Sequence, residues 1–122
     1  MNMKSLNTLM VICLLVIAGE SHADGAYTDA KALLEDAIRQ DSVSGVMGGE
    51  IADAFSSQFS TKGLLLVEAR VIGSFKEEGC KRIGLRFTQE GVATPKGNTE
   101  VHLNMTINYC LNGDIPNPAE QI

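Results

Sequence analysis

The chain has 122 residues, 10 Lys+Arg against 15 Asp+Glu, a formal net charge of −5 and no tryptophan. It lacks the basic balance that supplies most nucleic-acid affinity or attraction to an anionic bilayer, so nucleic acid is not an expected partner. The acidic balance itself reads as a device for solubility.

Lys4 precedes an apolar run from Leu9 to Ala18. Ser21-His22-Ala23 then places small residues at both positions flanking a signal-peptidase cut. That order marks a secretory leader, and the run is shorter than the ~20 residues of a membrane span. Cleavage near Ala23 is expected to release residues 24–122 as a periplasmic or secreted chain without a transmembrane segment. Lipidation at Cys13 is not expected, because Ile12 rather than a small residue precedes it. The remainder suffices for one core. It is expected to form a single domain over residues 24–112 and a flexible tail over 113–122.

Asp24–Tyr27 reads as a lead-in. Thr28 is a natural N-cap with Asp29 in the first turn. Ala30, Leu33, Leu34, Ala37 and Ile38 then recur at helical spacing as far as Gln40–Asp41. Residues 42–49 contain Gly45, Gly48 and Gly49. Each weakens a helix by up to about 1 kcal/mol, so the stretch reads as a flexible or tightly packed joint. Helical spacing resumes from Glu50 to Phe59 through Ile51, Ala54, Phe55 and Phe59.

Beyond Thr61-Lys62-Gly63 the period changes to two. Leu65, Val67, Ala69, Val71 and Phe75 occupy odd positions, as do Ile83, Leu85, Phe87, Val101, Leu103, Met105, Ile107 and Tyr109. The even set is mostly polar, which predicts three strands with one buried and one wet face. Leu64, Leu66 and Ile72 break the pattern and read as cover on both faces at the ends of the first strand. Lys76-Glu77-Glu78-Gly79 and Pro95-Lys96-Gly97-Asn98 are the turns. The expected fold is α+β: two N-terminal helices packed on a three-stranded antiparallel meander.

Outside the leader two cysteines remain, an even pair that reads as a disulfide in an oxidising compartment. Setting Cys80 opposite Cys110 pairs Ile83 with Ile107, Leu85 with Met105 and Phe87 with Leu103, apolar to apolar throughout. The same register puts Arg82 opposite Asn108 and Arg86 opposite Asn104. A one-residue slip would turn one apolar face to water.

His102 is the one histidine outside the leader, too few for a zinc site once the cysteines are oxidised. No Gly-x-Ser-x-Gly elbow accompanies it. Glu77, Glu78 and Asp36 do not suggest a sugar-binding carboxylate pair with so few aromatics. Gly45–Gly49 lacks the Lys-Ser/Thr of a phosphate loop. No catalytic residue, metal or cofactor is therefore expected. The candidate surface is the polar sheet face with Arg70, Arg82, Arg86, His102, Asn104 and Asn108. Arginine on a rigid surface is a common anchor for protein contacts.

Cys80-Lys-Arg-Ile, the Phe-Thr-Gln strand and Asn108-Tyr-Cys110-Leu-Asn-Gly resemble the C-terminal part of small exported proteins encoded among conjugative-transfer genes, of the KikA kind. The resemblance spans about a quarter of the chain and carries no catalytic residue with it. It implies a periplasmic, non-enzymatic accessory of conjugation or type IV secretion, partnered by another exported or envelope protein. The alternative is an inhibitor or immunity protein that binds a periplasmic hydrolase such as a lysozyme, since an acidic domain suits a basic enzyme.

Overall fold

The computed structural model describes residues 24–122, so the leader lies outside the described residues. In chain order the elements are β1 (Asp24–Tyr27), α1 (Ala30–Gln40), β2 (Ser42–Met47), α2 (Gly49–Phe59), β3 (Leu65–Ser74), β4 (Cys80–Thr94) and β5 (Gly97–Cys110). A short 3-10 turn follows at Pro118–Glu120. The strands form one sheet in the order β1-β2-β3-β4-β5, with β1 parallel to β2 and every other pair antiparallel.

This corrects the expected architecture. The sheet has five strands and is mixed, and the helices alternate with β1 and β2 instead of both preceding the sheet. The lead-in is a strand, too short to show a period. The glycine-containing joint is also a strand. Its odd residues Val43, Gly45 and Met47 face the helices, and a parallel neighbour is possible because α1 supplies the crossover. Gly45 serves this pairing directly: a Cβ there would lie 2.2 Å from the Gly25 carbonyl oxygen.

α1 begins one residue later than expected, with Asp29 as its N-cap accepting from the Ala32 amide at 3.0 Å. Leu33, Leu34, Ala37 and Ile38 lie buried against Met47, Leu65, Val67, Ala69, Ile83, Leu85 and Phe87. α2 packs more lightly. None of its residues is fully buried, and Phe55 reaches the sheet through a tilted ring contact with Phe87, centroids 5.3 Å apart. Ala54 is exposed and Ala52 takes the packed position.

The β4–β5 register is the expected one from Cys80↔Cys110 to Gln89↔Val101. The Leu111 amide donates to the Gly79 carbonyl at 3.0 Å, so that neighbouring pair is the hydrogen-bonded kind and the Cys80–Cys110 disulfide bridges a non-hydrogen-bonded pair. Further along, Glu90 and Gly91 oppose Glu100 alone in a bulge that Gly91 accommodates at φ 73°. Ile72 is the extra residue of a second bulge, between Val71 and Gly73. Ile72 and Leu64 are exposed, so the ends of β3 are not covered on both faces as expected. The final residues fold back: the Ile122 amide donates to the Ser74 carbonyl and the Lys76 amide to the Glu120 carbonyl. They take the side of β3 that β2 occupies further along.

Tyr27 of β1 belongs to the same buried core. Its hydroxyl donates to Asp36 Oδ2 at 2.9 Å. Burial, the bond to Asp36 and that carboxylate's charge together push the phenol from 10.0 up to about 12. A phenol raised in the folded state disfavours the ionised form there. Its contribution to stability is complete below the unfolded value near 10 and is lost as pH rises towards 12. Tyr27→Phe is therefore expected to flatten the fall in stability across that window, measured by urea unfolding at stepped alkaline pH. An unchanged slope refutes the assignment.

Candidate interaction face

Among the described residues, helices cover one side of the sheet only. On the other side the even-numbered residues of β2–β5 meet in rows set by the strand register. Ser44, Glu68, Arg86 and Asn104 form one row; Ser42, Arg70, Gly84 and Thr106 form the next. An open hollow of about 820 Å³ lies between the two arginines, bordered by Gln40 and by Ile72, whose side chain packs over Gly84. A smaller depression continues from Glu68 and Arg86 to Leu66, Thr88, Glu100 and His102.

Of the six expected face residues, Arg70, Arg86 and Asn104 line the main hollow and His102 the smaller one. Arg82 and Asn108 oppose each other as expected but lie outside both depressions. The C-terminal segment engages Arg82: its Nη1 donates to Gln121 Oε1 at 3.1 Å, and Gln121 Nε2 reaches over Gly73. Asn108 Oδ1 is buried and meets no donor among the described residues. Ser42, Ser44 and Gly84 escaped the sequence reading. For Ser42 and Ser44 the signal was even parity in a stretch whose Gly45 hid the strand.

Arg70 and Arg86 are exposed, and among the described residues neither has an ion-pair partner within 4.0 Å. A guanidinium offers a planar fork of donors matched to carboxylate or phosphate. Two such forks in a hollow, beside the Asn104 amide and the Thr106 hydroxyl, make a surface ready to receive an acidic or amide-rich segment.

The His102 end holds a different arrangement. Its Nδ1 lies 3.0 Å from Thr88 Oγ1 and its Nε2 3.8 Å from Glu100 Oε1. Hydroxyl, imidazole and carboxylate thus stand in a row, but on an open sheet face. Main-chain N–H groups of an antiparallel ladder lie in the sheet plane, so none points out of this face to receive an oxyanion. The Glu77, Cys80 and Cys110 ligand atoms lie within 4.8 Å of one another, yet the sulfurs are bonded together and are not thiolate ligands. No helix among the described residues is long and apolar enough to cross a membrane.

No family model matches the chain, and no curated protein or solved structure matches it.

Proposed function

We propose that the protein is a small exported interaction module, without catalytic activity of its own, that docks a partner on the uncovered sheet face. The observation that carries this reading is the hollow around Gly84 with Arg70 and Arg86 on its walls, neither ion-paired among the described residues. The partner class that fits is an exported or envelope protein presenting acidic side chains. The resemblance of the last third to conjugative-transfer accessories makes a type IV secretion assembly the context to examine first. A basic hydrolase is the poorer fit, because two cations and the single carboxylate of Glu68 line this hollow.

The test is Arg70→Ala with Arg86→Ala. Both side chains are exposed, so the melting temperature should stay within about 2 °C of the parent, as exposed charges add little to stability. Recovery of the envelope partner by affinity capture, or the associated transfer phenotype, should be lost. Binding and transfer at parental levels refute the assignment of this face. Arg82→Ala is the informative control: it breaks the link to Gln121 while leaving the hollow intact.

A further inference from the structure

The helical layer stops short of the last strand. Among the described residues α1 packs over β1–β4, whereas β5 carries two large apolar side chains on the same face that stay about half uncovered: Leu103 is 48% exposed and Met105 46%. β5 is also an edge of the sheet. Because Gly79 and Leu111 are a hydrogen-bonded pair, the odd residues of β5 bond to β4 and the even ones direct their amides and carbonyls outward. The free row therefore belongs to His102, Asn104, Thr106 and Asn108.

Monomeric sheets blunt such edges with lysine, proline or inward charge. From Val101 to Tyr109 this edge has none of these; His102 is its one ionisable side chain apart from the terminal Tyr109. The other edge, β1, is four residues long.

We propose that the β5 edge pairs with the β5 edge of a second copy, antiparallel about a two-fold axis at Asn104. That register places Leu103 opposite Met105 and Val101 opposite Ile107 in both halves, so the exposed apolar side chains cover one another across the seam. It also places Glu100 opposite Asn108 and His102 opposite Thr106, with no like charges facing. Directly opposed side chains on one sheet face lie about 5 Å apart and stabilise the pairing. The pairing is self-complementary, as a two-fold contact must be, and this argues for a second copy over an unrelated strand. It consumes the one long edge of each chain and so closes at two. The Asn104 ends of both polar hollows meet at the axis, giving one continuous face across ten strands. The proposal stands independently of what that face binds.

Sedimentation equilibrium of the purified, disulfide-intact chain should show a monomer–dimer equilibrium at concentrations on the order of 100 μM or below. Leu103→Lys with Met105→Lys should raise the dissociation constant roughly tenfold or more, since it adds cations to the seam and removes its apolar cover. Far-UV circular dichroism should match the parent, both side chains being half exposed already. As a second variant, Asn104→Cys should cross-link into a dimer under mild oxidation, while Asn112→Cys, beyond the seam, should not. A parent that stays monomeric through this range overturns the proposal. So does a dimer that survives the double lysine variant, or one that fails to cross-link through position 104. Monomers whose edge captures a different protein overturn it equally.

Discussion

Gln89→Glu is expected to cost about 3–5 kcal/mol at neutral pH, a large share of what a domain of this size possesses. Gln89 is fully buried, and its Nε2 faces three carbonyl oxygens: Gly63 at 3.0 Å, Glu90 at 3.1 Å and Leu64 at 3.3 Å. These tie the loop between α2 and β3 to the bulge of β4. Thr61 reinforces the tie, its hydroxyl donating to the Gly91 carbonyl at 2.8 Å. The substitution keeps volume but replaces the donor with a carboxylate that can only accept, among oxygens that can only accept. The introduced carboxyl will stay protonated in the folded state well above its unfolded value of about 4.3. Its pKa is thus raised on folding. The folded chain binds the extra proton above the unfolded value, and stability falls as pH rises from there. Chemical unfolding at pH 4 and pH 7 should show a small deficit at the lower pH and a severe one at the higher. Equal deficits at both would show that the amide's donor role is not what holds the loop.

Gln89 also marks how far the sequence could be read. It sits at the next odd position after Ile83, Leu85 and Phe87, but its polarity left it outside the apolar series. Only the bulge beside it explains why that buried position is polar. The hairpin was legible because two separate constraints, apolar alternation and the cysteine pair, demanded the same register of residues 80–110. α1 was legible because five apolar residues repeat at helical spacing. β1 and β2 were not, for opposite reasons. Asp24–Tyr27 is too short for a period to emerge, and Gly45 deletes the middle apolar residue from Val43, Gly45 and Met47. The glycine is there because Gly25 of the neighbouring strand comes too close for a side chain, a fact that exists only once both strands are placed. The polar face was read as a surface, and four of its six candidate residues line the two depressions. Its concavity was not readable, since it depends on how residues of four different strands, with Ile72 of the β3 bulge, are brought side by side.

The second large effect is expected at the other end of the sheet. Cys80→Ala with Cys110→Ala should lower stability by roughly 3–4 kcal/mol in the loop-entropy account of a 30-residue closure. For a domain near 100 residues this corresponds to a fall in melting temperature of more than about 12 °C. Alanine is preferred to serine because both positions are almost completely buried with Phe75, and a hydroxyl there would lack a partner. The loss should spread unevenly. The disulfide and Phe75 form a small cluster separate from the main core, and the C-terminal residues pair with Ser74 and Lys76 on either side of Phe75. Amide exchange should therefore accelerate first at Lys76 and Ile122, whose donors depend on that cluster. Amides under α1 should change only through the lower global stability. Arg70 and Arg86 sit nearer the middle of the sheet, so below its lowered melting temperature the variant should still bind the partner as the parent does. A melting temperature unchanged on removal of both sulfurs would mean that alternation and the helix layer hold the hairpin without the staple. Uniform loss of protection would instead make the cluster part of a single cooperative unit with the core.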